Sequence, residues 1–324
     1  MATDRRIVST APIDPIVGEI LSPKASLQIA PAPDEATMLG LLDGTVGLIA
    51  RGEGKVTAPM IAACPNLAVI GRPGAGFDTV DVAAATARKI PVVFAPVGGF
   101  AVAEGALAML LALVKRLAWC DQVVKSGQWQ RRYEAESGDM TEHTLGIVGL
   151  GRIGRHLARL AQPFDMSVLA FDPYVRPDEA AAVGVQLTPL DELLSRCDYL
   201  SLHVLLDDTT RGLIDRKAVA AMKGQTLLVN TSRGGVIESL DVLADGLESG
   251  QLGGVGLDVF PTEPPDVTHR LFKDPRVLAA PHLVGVSRIA MGRICRSMAT
   301  DMLAVLEGRK VKFCVNPEVL NEES

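Results

Sequence analysis

The chain has 324 residues, enough for two domains of ordinary size and two buried cores. Thirty-two Lys and Arg against 38 Asp and Glu leave a net charge of −6, which argues against a nucleic-acid binder, since affinity for phosphate backbones comes from clustered positive charge. Apolar residues make up 48% but aromatics only 4%, so the cores must be built from Ala, Val, Leu and Ile.

The first half carries short apolar runs at 6–9, 46–50, 67–71 and 91–95, separated by helical segments such as 58–63 and 80–88. Strands buried on both faces read as continuous apolar runs of this kind, which predicts a parallel sheet with helical crossovers. An Ala/Leu-rich stretch over 101–126, without proline, predicts one long helix. The strand rhythm restarts at Thr144, with runs at 145–149, 168–172, 198–203, 226–231, 254–259 and 277–280. A second long helix is expected over about 286–307, ahead of a tail containing Asn316-Pro317-Glu318. The fold class is therefore α/β, with two doubly wound parallel-sheet domains.

No membrane partner is expected, because the longest apolar run, 106–114, falls far short of the roughly 20 residues that span a bilayer. Asp14 and the prolines at 12 and 15 interrupt any signal-peptide pattern. Cys64, Cys120, Cys197, Cys295 and Cys314 are odd in number and show no metal-ligand spacing, so a cytoplasmic protein without a metal site is the expectation.

The run 145–148 leads into Gly149-Leu150-Gly151-Arg152-Ile153-Gly154 and then into a helical pattern. Gly149 permits the tight turn, Gly151 lets a pyrophosphate approach the backbone, and Gly154 lets helix and strand pack closely. The next run ends in Asp172, 21 residues after Gly151, where an acid accepts bonds from a ribose 2′-OH and repels a 2′-phosphate. NAD is favoured over NADP, with Arg176 nearby as the opposing signal. An S-adenosyl ligand, which also offers a ribose, satisfies the same motif.

Ligand crevices in such sheets lie beyond the carboxyl ends of the strands. Three of those ends supply Arg233 (in Ser232-Arg233-Gly234-Gly235), Glu263 (in Thr262-Glu263-Pro264) and His282 (in Pro281-His282-Leu283). Arg suits a carboxylate and polarises an adjacent carbonyl. His exchanges a proton near neutral pH, and a carboxylate beside it would hold its tautomer. Read singly, each could be a solvated loop charge or a structural histidine; jointly they equip the chain to interconvert a 2-keto and a 2-hydroxy acid. His203, also at a strand end, is the rival base but lacks an acidic partner and is assigned to the cofactor side.

On these motifs, together with Asn230-Thr231-Ser232-Arg233-Gly234-Gly235 and Gly256-Leu257-Asp258-Val259-Phe260, the chain resembles the D-isomer-specific 2-hydroxyacid dehydrogenase family. The resemblance covers most of the chain and implies catalytic roles for Arg233, Glu263 and His282. The cofactor-binding set it implies is Gly149, Gly151, Arg152, Ile153, Gly154, Asp172, His203, Thr210, Thr231, Asp258 and Gly285. It further implies a Rossmann NAD domain, 102–286, inserted into a flavodoxin-like substrate domain formed by 1–101 and 287–324, and a homodimer.

Arg72-Pro73-Gly74-Ala75-Gly76-Phe77-Asp78 looks like the family loop whose amides receive the substrate carboxylate, so Arg51, Arg72, Gly74, Ala75, Gly76 and Arg233 form the expected substrate set. Within the family, the first unit looks most like phosphoglycerate dehydrogenases and hydroxypyruvate or glyoxylate reductases, here in a short form without a regulatory domain. Departures at Gly52 and Gly54, where those phosphoglycerate enzymes carry hydroxyls, at Glu53, which would repel phosphate, and at Ala95 weigh against phosphate binding, and the expected substrate is either hydroxypyruvate- or glyoxylate-like or 3-phosphoglycerate-like. The family also includes corepressors, so an NADH-sensing interaction protein is the alternative function.

Overall fold

The computed structural model describes residues 5–52 and 54–320. The chain divides into two compact units, Met1–Gly98 with Ser287–Ser324, and Gly99–Val286.

In the first unit, β1 (Arg6–Ser9), β2 (Ser26–Ile29), β3 (Thr45–Ile49), β4 (Val69–Arg72) and β5 (Val92–Phe94) form one sheet in the order β2-β1-β3-β4-β5. Every pairing is parallel. Helices α1 (Ile16–Leu21), α2 (Glu35–Leu39), α3 (Ala58–Ala63) and α4 (Val82–Ala87) make the crossovers. Alternate strand residues feed opposite faces, as the two-residue period requires. Val8, Leu48, Ile70 and Val92 pack with Met38, Met60 and Ile61. Ile7, Ile49, Val69 and Val93 pack on the other side with Val17, Leu21, Met298 and Met302. Asp34 and Asp81 cap α2 and α4 by accepting from Thr37 N and Ala84 N, both at 2.9 Å.

The second unit opens with α5 (Gly99–Val114) and α6 (Leu117–Lys125), where one continuous helix was expected. Arg116 stands between them in the left-handed region, φ 50°. Lys115 Nζ donates to Gly138 O at 2.6 Å and meets Asp139 at 2.7 Å, while Gly138 N bonds Val114 O. A tertiary contact thus ends the helix where no glycine or proline marks a break.

The sheet of this unit comprises β6 (Thr144–Val148), β7 (Ser167–Phe171), β8 (Gln186–Leu187), β9 (Tyr199–Leu202), β10 (Thr226–Asn230), β11 (Leu252–Leu257) and β12 (Val277–Ala279). Its order is β12-β11-β10-β9-β6-β7-β8, again wholly parallel. The order reverses at β6 and β9, the switch point at which doubly wound sheets bind ligands. Helices α7 (Arg152–Ala161), α8 (Pro177–Ala181), α9 (Leu190–Arg196), α10 (Arg216–Ala220) and α11 (Leu240–Glu248) connect the strands.

The chain returns to the first unit through α12 (Arg288–Leu306), capped by Ser287, whose hydroxyl accepts from Ala290 N at 3.1 Å. Both sheets therefore match the expected doubly wound class. Two of the four edge strands, β2 and β8, have no expected counterpart, because their short, half-exposed sequences carry no apolar run. Among the described residues, no helix is long and apolar enough to cross a membrane.

Asn316 fastens the tail to β5. It is buried, its Oδ1 accepts from Val92 N at 2.8 Å, and its Nδ2 donates to Ile90 O at 3.0 Å and to Thr86 Oγ1 at 2.9 Å. Asn316→Ala strands a buried donor and acceptor, and urea denaturation should show a loss of about 1–3 kcal/mol in stability.

Candidate active site

Strand register aligns the residues expected to hold the cofactor. Phe171, Val148, Leu202, Asn230, Leu257 and Ala279 lie in one row across β7, β6, β9, β10, β11 and β12. The next residue of each strand is Asp172, Gly149, His203, Thr231, Asp258 and Ala280. The carboxyl edge of a single sheet thus gathers residues spread over more than a hundred positions of sequence.

Gly149 has φ +95°, and a Cβ there would stand 2.8 Å from the His203 carbonyl carbon, so only glycine fits the turn. Gly151 caps α7, and a Cβ at that position would meet nothing within 4 Å, leaving open space over the first turn, which carries Arg152 and Ile153. A Cβ at Gly154 would stand 2.3 Å from Gly149 O, so the helix rests directly on the turn. Asp172 Oδ2 accepts from Leu150 N at 2.8 Å and Oδ1 from Tyr174 N at 2.9 Å, which ties the acid to the glycine loop. Arg176 turns to its own neighbours, Asp178 at 3.1 Å and Glu179 at 3.2 Å.

Two buried polar atoms in the row, His203 Nδ1 and Thr231 Oγ1, have no hydrogen-bond partner among the described residues. Such atoms carry a desolvation cost that a bound polar ligand relieves. With the open first turn of α7, they fit a dinucleotide laid along this edge. The Thr210 hydroxyl accepts from Asp207 N at 2.9 Å within its own loop. Gly285 packs against α5, where a Cβ would stand 2.5 Å from Val102 Cγ2.

His203 Nε2 bonds Ser201 Oγ at 2.8 Å, and burial pushes the imidazole down to about 3. Burial thus keeps the ring neutral at physiological pH, which does not suit a group that donates a proton.

His282 Nδ1 lies 2.9 Å from Glu263 Oε2, and Glu263 Oε1 accepts from Phe260 N at 3.0 Å. The carboxylate is thus pinned by its own loop while it orients the ring. His282 has φ +57°, unusual for a residue with a Cβ. Asp258, 3% exposed, holds the chain just beyond it: Oδ1 accepts from Leu283 N at 2.8 Å, and Val284 N reaches both oxygens at 3.3 Å. Burial pushes the Asp258 carboxyl above its ordinary range, against these backbone donors. Arg233 Nη1 donates to Ser232 O at 2.8 Å. A Cβ at Gly234 would stand 1.9 Å from the Phe260 carbonyl carbon, so the Arg233 turn and the Glu263 loop touch backbone to backbone.

In the first unit, Arg51 follows β3 and Arg72 ends the adjacent β4. Arg51 N donates to Thr10 Oγ1 at 2.8 Å, and its Nε is buried without a partner among the described residues. Arg72 Nη1 donates to Pro73 O at 2.7 Å. Gly74 has φ +138°, and its carbonyl accepts from Ala95 N at 3.0 Å, while Ala75 is exposed and Gly76 half-buried. A Cβ at Gly54 would stand 2.2 Å from Thr10 Oγ1, so this turn has no room for a hydroxyl side chain at 54. Glu53 lies outside the described residues.

Residues 107–284 match the family model "D-isomer specific 2-hydroxyacid dehydrogenase, NAD binding domain". The chain is 39% identical over 295 residues to a D-3-phosphoglycerate dehydrogenase of Mycobacterium leprae, covering 90% of this chain and 55% of the relative. It thus spans about half the length of that curated relative. Among solved structures, a glyoxylate reductase from Paecilomyes thermophila superposes with TM-score 0.88 at 27% identity, covering 97% of this chain and 99% of the other. A D-lactate dehydrogenase from Aquifex aeolicus, complexed with NAD and lactic acid, gives TM-score 0.83 at 28% identity, covering 94% and 96%.

A neutral His203 makes a testable demand. Its ring resonances should stay fixed between pH 8 and 5. An unfolded His, with a pKa of about 6.5, takes a proton that the folded ring refuses, so stability falls as the pH drops below that value. Replacing His203 with Gln should flatten that decline in denaturant titrations.

Proposed function

The chain belongs to the D-isomer specific 2-hydroxyacid dehydrogenase family, and we propose that it reduces a small 2-keto acid to the D-2-hydroxy acid with NADH. The observation that carries this reading is the contact between His282 Nδ1 and Glu263 Oε2, with Glu263 anchored in turn on Phe260 N.

Gly151 and the first turn of α7 would hold the pyrophosphate, and Asp172 the adenosine ribose. Thr231 and His203 would meet the cofactor with their unpartnered atoms. Asp172 carries a negative charge where a 2′-phosphate would fall, which favours NAD. When bound, the nicotinamide supplies the hydride that reduces C2.

Arg233 receives the substrate carboxylate, and its charge polarises the neighbouring carbonyl. With Nδ1 committed to Glu263, His282 has Nε2 as the nitrogen that delivers a proton to the C2 oxygen. Glu263, accepting from Nδ1, keeps the ring from turning during that transfer. In the reverse direction the same nitrogen withdraws the hydroxyl proton.

Arg51, Arg72 and the amides of 74–76 are proposed to bind the substrate as well, the amides receiving its carboxylate together with Arg233. The crowded turn at Gly54 and the absence of hydroxyls at 52 and 54 favour an unphosphorylated acid such as hydroxypyruvate or glyoxylate. We further propose a homodimer, because Leu117, Val124, Trp129 and Tyr133 leave a run of large apolar side chains more than half exposed, from 54% to 75%. Five free cysteines fit the reducing conditions of the cytoplasm.

The test is NADH oxidation against hydroxypyruvate, glyoxylate, phosphohydroxypyruvate and a bulky aromatic keto acid. One of the small unphosphorylated acids should turn over best, and His282→Ala should lower kcat by at least about 100-fold while NADH still binds. Best activity with phosphohydroxypyruvate would reverse the substrate preference. Silence across the panel despite tight NADH binding would contradict the enzymatic reading.

A further inference from the structure

The turn carrying Arg233 is held from inside the unit by a side chain assigned no part in the chemistry above. Asn230, the last residue of β10, is fully buried. Its Oδ1 accepts from Ser232 N at 3.0 Å and from Ser232 Oγ at 2.8 Å. Its Nδ2 donates to the Arg233 carbonyl oxygen at 2.9 Å. A side-chain amide offers two N–H donors and two lone pairs. Here the oxygen's capacity and one donor all go to the two residues that present the guanidinium.

Backbone geometry alone would not set this turn. Arg233 is extended, at φ −142° and ψ 140°, and only a short 3-10 turn, Gly234–Val236, follows it. On its far side, Gly234 presses on Phe260 and Pro261, leaving no space even for a methyl group. The turn is thus clamped between the Asn230 amide and the backbone of Phe260, whose N–H is held by Glu263.

We propose that Asn230 is a positioning residue that presets Arg233 for the carboxylate of the keto acid, in register with Glu263 and His282. This rests on the reading of Arg233 as the carboxylate-binding group. The amide is needed in both halves: a carboxylate could not donate to the Arg233 carbonyl, and a serine hydroxyl is too short to replace all three bonds. A displaced guanidinium costs rate rather than cofactor affinity, because a misplacement of about 1 Å lowers turnover by up to roughly 100-fold.

The experiment compares Asn230→Ser, Asn230→Ala, Arg233→Ala and the Asn230→Ser/Arg233→Ala double variant. Steady-state kinetics are run at high enzyme concentration, with the NADH Kd from fluorescence and Tm recorded in parallel. Asn230→Ser keeps a polar group in the buried site and is the decisive variant if Asn230→Ala proves too unstable. Either single change at 230 should lower kcat/KM for the keto acid by about 10- to 100-fold, with the NADH Kd within about twofold of wild type. In the Arg233→Ala background, Asn230→Ser should cost no more than about a further twofold, because the group it positions is gone.

Wild-type kcat/KM in both the Ser and Ala variants would overturn the proposal. So would losses that multiply with those of Arg233→Ala, or an NADH Kd that rises in step with the loss of turnover. Full turnover by Arg233→Ala alone would overturn the reading of Arg233 itself, and the proposal with it. That outcome is recognised without any change at position 230.

Discussion

The hydrogen bond between Glu263 and His282 is the interaction on which the rest of the site depends. A histidine on a strand-end loop has two ring nitrogens and freedom to turn, and neither property suits the proton donor that we propose His282 to be. Glu263 removes both by holding Nδ1 at 2.9 Å, and it is itself held by Phe260 N. Asp258 fixes the other side of the loop through the amides of Leu283 and Val284. The left-handed backbone at His282 is therefore supported from both directions, as a strained conformation requires.

The parallel sheet explains how such distant residues meet. Each strand of a doubly wound sheet runs the same way, so all carboxyl ends share one edge. Residues that follow the strands become neighbours whatever their separation along the chain. Asp172, Gly149, His203, Thr231 and Asp258 form one row for this reason alone. The buried acid and the buried neutral imidazole in that row would be costly in an ordinary core. The unpartnered atoms of the row, His203 Nδ1 and Thr231 Oγ1, are the ones we propose to meet a bound dinucleotide.

Much of this was legible in the sequence because it follows from strand ends and glycine spacing. The runs into Gly149, Arg233 and His282 could be located from apolar patterning, and the ends of parallel strands must face a common edge. The break at Arg116 was not legible, since Lys115 leaves the helix to reach Gly138 and Asp139, a contact that composition does not encode. Strands β2 and β8 lie at sheet edges, where polar residues suffice and the apolar signal is lost. Asn230 stood in plain sight beside Arg233, but its work is a set of three-dimensional bonds. His203 and His282 both looked like strand-end bases, and only burial and the partner of each ring separate them.

The most direct test of the account is nitrogen-15 NMR of His282 at a pH where the ring is neutral. An imidazole oriented by Glu263 carries its proton on Nδ1 and leaves Nε2 as the basic nitrogen, and Glu263→Gln should abolish that preference. A proton residing on Nε2 in the wild-type protein, unchanged by Glu263→Gln, would contradict the account.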